Sequence, residues 1–501
     1  MQTASTEKRL SPRIEALLPI YVEIQKNPSD SSSNFVGQIT NICEGGLGVT
    51  LEEKLIIPSI VSLRTTSTPL HRSIQAKVLW SDSDSQIKNG RTHYGLQFLE
   101  LEDIATFREF LHEVNMNQLE EFFGIAVPED IKKNYKNSYT LEKFDQKQIM
   151  KVIDFSPPFL KIDKMVVLDF GKQNFPNTVS IGTGVLTIND TKGHYNDTIF
   201  LAQCGWLMAS SSSVYLAILF RSTAPQVVEV GRIRLSNDGM LRQPTIHGSR
   251  FFIESRIVKK KLKMVVVNSR IFFEDIFVGE IDNLKLVLAP KDSIQEAKEL
   301  PSWDERGIKK TAKEGNVEQI EDFFGLTMPR HIKKNYEGKQ IYKKLNHKQI
   351  MEVIDFASPF LRIEKMIVFD DNKDSMLQNS GLGMGIVTSK DTSGHYNETL
   401  FLAMCGWLMS VAVSVHLAVL FPSTAPEVIE ANVIRPVEKG LWKPGKKGTI
   451  FWVETSVIKK EPGLITVGTR ISFDELLYGI VEESKSVLIQ KELIWQKRRL
   501  G

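Results

Sequence analysis

The side chains best suited to chemistry lie in one short peptide that occurs twice. Gly-His-Tyr-Asn is found at Gly193–Asn196 and again at Gly394–Asn397, each time followed by an acidic residue, a threonine and a long apolar run. An imidazole exchanges protons near neutral pH, and a carboxamide beside it can orient a water. A helix beginning after the peptide would offer free N–H groups to a carbonyl oxygen that is gaining negative charge. Asp197-Thr198 and Glu398-Thr399 suit the capping of such a helix. His194, Asn196, His395 and Asn397 are therefore the candidate catalytic residues. The alternative is a histidine that only satisfies a turn. Retention of His and Asn in both peptides weighs against it.

A second constellation lies near the N-terminus. Arg9 and Arg13 stand four residues apart, and Asn41-Ile-Cys43-Glu-Gly-Gly46 follows. Guanidinium groups fork onto phosphate oxygens and the O6/N7 edge of guanine, and they stack on purines. A glycine-rich turn lets backbone approach a ligand closely. Taken alone, the two arginines read equally as a solvated basic terminus beside an ordinary hairpin.

The elements that position these residues follow from a duplication. At an offset of 201, Gln148–Met165 and Gln349–Met366 agree at 13 of 18 positions, and Gly193–Met208 and Gly394–Met409 agree at 13 of 16. A unit of this size is a domain and not a solenoid repeat. Each copy is expected to begin with a short helix (Gln148–Phe155 in the first). Extended segments, one long apolar helix and alternating strands then follow, an α+β arrangement. Ahead of the copies, Ile20–Ile24, Gly37–Thr40, Leu47–Leu51, Ile60–Thr65, Ile74–Trp80 and His93–Phe98 are β-branched or aromatic runs separated by turn residues. They predict a small all-β barrel, with a helix over Thr106–Val114. The expected division is a barrel over 1–115, copies over 116–290 and 318–501, and a connector over 291–317.

Composition narrows the function classes. The 501 residues hold 63 Lys+Arg against 60 Asp+Glu, a net charge of +3, too even for bulk polyanion binding. Cys43, Cys204 and Cys405 are too few for a disulfide framework or a four-ligand zinc site. No Walker-type loop, Rossmann fingerprint, HExxH or Cys-x-x-Cys occurs, so neither a metal nor a nicotinamide cofactor is expected. The first twenty residues lack an apolar stretch of signal-peptide length, and export is not expected. Ile199–Phe220 and Leu400–Phe421 are uncharged and long enough to span a bilayer. Enough strand follows each of them to enclose a buried helix instead. Cys204 and Cys405, at equivalent places in these runs, read as buried structural thiols.

Two family resemblances add to this reading. Lys8–Val114 resembles the PilZ domain, a small barrel that binds cyclic di-GMP, through the RxxxR pair, Ile42–Val49 (ICEGGLGV), Ala76–Trp80 (AKVLW) and His93–Phe98 (HYGLQF). The resemblance implies that Arg9 and Arg13 hold phosphates and guanine and that Asn41, Cys43 and Gly46 belong to the second ligand-contacting turn. Cys43 departs from the serine usual there, and losing that hydroxyl costs about 1 kcal/mol. Each repeated copy resembles a hot-dog domain, in which a sheet wraps one long helix. The likeness is to the FcoT-like group of acyl thioesterases and related acyl-thioester enzymes. It rests on the Gly-His-Tyr-Asn turn, the apolar helix after it, and the Pro158-Phe159 and Pro359-Phe360 steps. It implies that His194, Asn196, His395 and Asn397 line a thioester site. Where that group has catalytic tyrosines, this chain has Phe159 and Ile188, then Phe360 and Ser389.

The expectation is a multidomain, bacterial, cytoplasmic protein: a PilZ-like barrel plus two α+β hot-dog domains forming an intrachain pseudo-dimer. Its ligands would be cyclic di-GMP and a long-chain acyl-CoA or acyl carrier protein, with no nucleic-acid partner, no membrane span, and further homo-oligomerisation left open. The hot-dog pair would hydrolyse the thioester or carry out addition–elimination on it. The missing tyrosines favour the other reading, a non-catalytic module that holds an acyl group or a partner and reports nucleotide state.

Overall fold

The computed structural model describes residues 14–24, 33–43, 45–52, 55, 57, 59–65, 74–82, 92–99, 116–135, 138–169, 178–240, 242–245, 247–293, 297–303, 316–357, 360–370, 379–438 and 440–492. The chain forms two compact units: residues 1–143 with 166–178, and residues 144–165 with 179–501.

In the first unit, six antiparallel strands close into a barrel. Their order around it is Ile14–Ile24, Ser33–Cys43, Gly46–Leu51, Thr92–Phe98, Ile74–Asp82, Ile60–Thr65. The period-2 pattern explains the closure: Ile74, Ala76 and Val78 are buried, whereas Gln75 is half-buried and Lys77 and Leu79 are exposed. Inward residues of the other strands, among them Ile39, Val49, Val61 and Leu96, complete the core. Tyr94 is buried with them, and its phenol oxygen accepts from the Leu55 N–H at 2.9 Å. All six strand segments expected from the sequence are present. The expected helix Thr106–Val114 lies outside the described residues.

In the second unit, twelve strands form one antiparallel run. The order is Ile341–Asn346, Ile363–Asp370, Asn379–Val387, Thr449–Glu461, Leu464–Phe473, Leu476–Gln490, Thr424–Pro436, then Thr223–Leu235, Ile276–Pro290, Met264–Phe273, Ser249–Lys261, Thr178–Leu186. The two copies join edge to edge, with Val230 opposite Ile434 and Ile233 opposite Ala431. This is the internal pairing expected of a pseudo-dimer.

Each copy lays one 19-residue helix on its half of the sheet, Leu201–Leu219 in the first and Leu402–Leu420 in the second. Neither helix is amphipathic, because sheet covers one side and the opposite helix packs on another. Leu402–Leu420 is long and apolar enough to cross a membrane, yet 78% of that stretch is buried within the fold. Three of the four serines of the first helix are accommodated by donating backwards, and the Ser211 hydroxyl is buried without a partner. Ser210, Ser212 and Ser213 give their hydroxyl hydrogens to Leu207 O, Met208 O and Ala209 O at 2.9, 2.9 and 3.0 Å.

The short helices that precede these runs are Gln146–Val152 and His347–Ile354, the first ending three residues before the predicted end at Phe155. Asp145 and Asn346 start them with reciprocal bonds to Gln148 and Gln349.

Candidate functional site

Each Gly-His-Tyr-Asn turn sits beneath the proline-aromatic loop of the opposite copy. Gly193 O accepts from the Ala357 N–H, and Gly394 O accepts from the Ser156 N–H, both at 2.9 Å. Gly193 and Gly394 have φ of +96° and +83°, and a Cβ on them would meet Ala357 O at 2.4 Å and Ser156 O at 2.1 Å. Glycine is required twice over, by backbone conformation and by the approach of the other copy. Phe159 packs on His395, and Phe360 packs on His194, with ring centroids 4.9 and 5.0 Å apart.

The turn does not run straight into the core helix. A 3-10 turn intervenes (Tyr195–Asp197, Tyr396–Glu398), and the helix begins after Phe200 or Phe401, neither of which caps it through a side chain. The expected capping by Asp197-Thr198 is therefore absent. These residues hold the turn instead: Asp197 Oδ1 accepts from the Gly193 N–H at 3.0 Å, and Thr198 anchors His194.

Around His194 the hydrogen bonds determine the proton count. Thr198 Oγ1 donates to Tyr195 O at 2.7 Å, so its hydrogen is committed. His194 Nδ1 lies 2.9 Å from that oxygen and 3.1 Å from Thr198 O, and both can only accept. Nδ1 therefore carries the hydrogen. The other ring nitrogen, Nε2, lies 3.1 Å from Glu427 Oε2 of the second copy, and the two side chains are 3% and 4% exposed. One further proton must lie between them, as imidazolium–carboxylate or as imidazole–carboxylic acid.

The equivalent place in the second copy is different. His395 Nδ1 again lies 2.9 Å from a threonine hydroxyl, that of Thr399. The residue matching Glu427 is Gln226, and no carboxylate pairs with His395 among the described residues. Burial pushes the His395 imidazole down to about 3, against which the Thr399 backbone bond acts, so the ring is neutral at physiological pH.

A cavity of about 530 Å³ opens beside His395. Its wall is mostly apolar and includes Phe159, Trp206, Met409, Val413 and Phe401, with Gln226, His395, Tyr396 and Glu438 among its polar members. The Tyr396 phenol is buried without a hydrogen-bond partner, and burial raises it above its usual range, so it keeps its proton. Gly406 also lines the cavity, and a Cβ there would meet nothing within 4 Å. A second, smaller cavity of about 210 Å³ shares Phe159, Ala202, Trp206, Phe401 and Ala403 with the first.

Of the candidates named from sequence, His395 borders the large cavity, His194 pairs with Glu427 and does not line that cavity, and Asn397 is exposed and does not line it either. The Asn196 side chain lies outside what is described. So do Arg9 and Arg13 and the side chain of Cys43; the backbone of Asn41, Cys43 and Gly46 lies in the barrel strands Ser33–Cys43 and Gly46–Leu51. Burial pushes the Cys204 thiol up to about 12 and raises Cys405 likewise, which leaves both inert. No cluster able to hold a metal occurs among the described residues. Glu427 was missed from sequence. Its signal was a charge gained within otherwise identical segments, Ser222-Thr-Ala-Pro-Gln226 against Ser423-Thr-Ala-Pro-Glu427.

Among solved structures, the chain is similar to the dehydratase domain of a mycocerosic acid synthase-like polyketide synthase (8% identity, TM-score 0.40, covering 68% of this chain and 97% of that one). It is also similar to the dehydratase domain from the CurJ module of curacin polyketide synthase (9%, 0.38, 69% and 99%). A third is the dehydratase domain of the polyketide PpsC from Mycobacterium tuberculosis (8%, 0.39, 67% and 99%). No curated protein sequence matches the chain. Residues 7–113 match the family model of the PilZ domain. Residues 7–113 are thus an N-terminal PilZ domain, and the region after it is a duplicated unit in which two long helices pack on one antiparallel sheet.

Proposed function

We propose that this protein responds to cyclic di-GMP and that its double hot-dog region binds the acyl chain of a long-chain acyl-CoA or acyl-carrier-protein thioester in the cytoplasm. The carrying observation is the cavity beside His395. Its volume falls in the ~300–1,000 Å³ range of small-molecule sites, and its wall has the composition of one: apolar, with a few convergent polar groups. A buried phenol without an acceptor costs about 1–3 kcal/mol, and the carbonyl oxygen of a bound thioester would supply one to Tyr396. A neutral His395 with Gln226 in place of a carboxylate favours holding over hydrolysis on this side.

One observation favours a second reading. The His194–Glu427 pair shares a proton and has its imidazole fixed by Thr198, which are the parts needed for proton transfer during addition–elimination on an acyl thioester. His194 would move the proton and Glu427 would set the imidazole's charge.

The nucleotide part of the proposal rests on the PilZ match, with Arg9, Arg13, Asn41, Cys43 and Gly46 as its site. Native mass spectrometry of freshly purified protein tests both parts. Co-purified acyl cargo that is lost in Gly406→Leu supports the binding reading, and failure of any acyl-CoA or fatty acid to bind overturns it. Turnover that disappears in Glu427→Gln would favour the second reading. Calorimetry with cyclic di-GMP should show binding that an Arg9→Ala, Arg13→Ala variant loses; equal binding by that variant would reject the arginines.

A further inference from the structure

The two copies differ on the side of the sheet turned away from the core helices. In the first copy, Glu254 and Arg270 stand opposite each other on neighbouring strands and form an ion pair. Arg256 and Asn268 stand opposite each other two residues on. Asn268 is tied down there, accepting from the Asn283 N–H at 2.9 Å.

In the second copy, Glu454 again faces Arg470, but Ser456 and Gly468 occupy the places of Arg256 and Asn268. Two long side chains have been replaced by a hydroxymethyl group and a hydrogen. A cavity of about 400 Å³ opens at that place, with Asn335 and Lys339 in its wall together with Ser380, Glu454, Arg470 and Glu482.

Lys339 donates to Ser380 Oγ and Glu482 pairs with Arg435, but Glu454 and Arg470 are incompletely served. Glu454 is 8% exposed; its Oε1 accepts from Asn335 Nδ2 at 2.8 Å, while Oε2 is buried without a partner. The Arg270 guanidinium serves the matching carboxylate of the first copy, whereas Arg470 is exposed and makes no ion pair among the described residues. A buried carboxylate oxygen lacking a donor is costly, and a guanidinium is a ready fork for an external carboxylate.

We propose that this cavity binds a small zwitterion of the amino-acid type, with its ammonium group on Glu454 and its carboxylate on Arg470. The opposed charges across the wall match the two ends of such a molecule, and the hydroxyls of Ser380 and Ser456 leave the middle polar. The first copy, with Arg256 and Asn268 at the matching positions, acts as an internal control.

The experiment is calorimetry on the full chain with each of the twenty free amino acids at millimolar concentration. Saturable binding of at least one is expected, with no binding of the corresponding deaminated acid. Ser456→Arg, which restores the first copy's residue, should weaken binding at least tenfold without lowering the unliganded melting temperature. Glu454→Gln should also weaken it at least tenfold. Absence of binding by every amino acid would overturn the proposal, as would binding that survives both Ser456→Arg and Gly468→Asn.

Discussion

His194 Nε2 of the first copy lies 3.1 Å from Glu427 Oε2 of the second, whereas at the equivalent place His395 and Gln226 border an open cavity. The duplication has kept the imidazole and its threonine anchor on both sides and divided the rest. One side holds a carboxylate and a shared proton. The other holds space.

Removing one partner of a buried pair strands the other. Glu427→Ala should destabilise the protein by about 3 kcal/mol. Glu427→Gln should cost less than about 1 kcal/mol, because its amide can donate to the lone pair left on His194 Nε2 once Nδ1 is bonded to Thr198. Gln226→Ala, at a half-buried position beside the cavity, should also stay below about 1 kcal/mol. Urea unfolding of the three variants gives the order.

Gly193→Ala and Gly394→Ala should each cost about 2 kcal/mol or more, from the positive φ and from the carbonyl of the opposite copy that the new methyl would strike. The fall should show as a lowered midpoint of chemical denaturation. Gly124→Ala, where φ is +74° but nothing lies within 4 Å, should cost less and separates the two causes.

Gly406 lies inside a helix with open space before it. Gly406→Ala should stabilise by up to about 1 kcal/mol through helix propensity alone. Gly406→Leu should leave the melting temperature near that of the parent while lowering acyl binding at least tenfold, since its side chain enters the cavity. Thermal melts alongside acyl-CoA titrations check both.

Two histidines carry a pH dependence. Burial holds His395 and His416 down at about 3, below the usual 6.5 of histidine. The unfolded chain therefore binds more protons between those values. The stability that keeping each ring neutral provides is complete above about pH 6.5 and is lost as pH falls towards 3, by up to about 1.4 kcal/mol per pH unit and ring. His416→Tyr, which places the first copy's residue, should flatten this slope by one proton's worth. Unfolding free energies at pH 7, 6 and 5 give the slopes.

Much of the fold was legible in the sequence because it rests on local periodicity. The Ile74–Trp80 alternation placed a barrel strand, and the uncharged run around Cys204-Gly-Trp206 placed a helix that must be enclosed. The candidate site was legible only in part. His194 and His395 stood out as a repeated motif, but in the sequence they look alike. What distinguishes them is the residue the other copy supplies: Glu427 reaches His194, whereas its counterpart Gln226 only shares the cavity wall with His395.

The sequence by itself determined the barrel strands, the duplication and the two core helices, since side-chain patterning and repetition are properties of the chain read in order. Only the tertiary structure decided that the histidines are not equivalent, that Asp197 and Thr198 hold a turn and leave the helix uncapped, and that the second copy's sheet is hollowed beside Glu454. Each of these depends on which residue of one copy meets which residue of the other, or of a neighbouring strand. Such encounters are created by folding and have no trace in linear spacing.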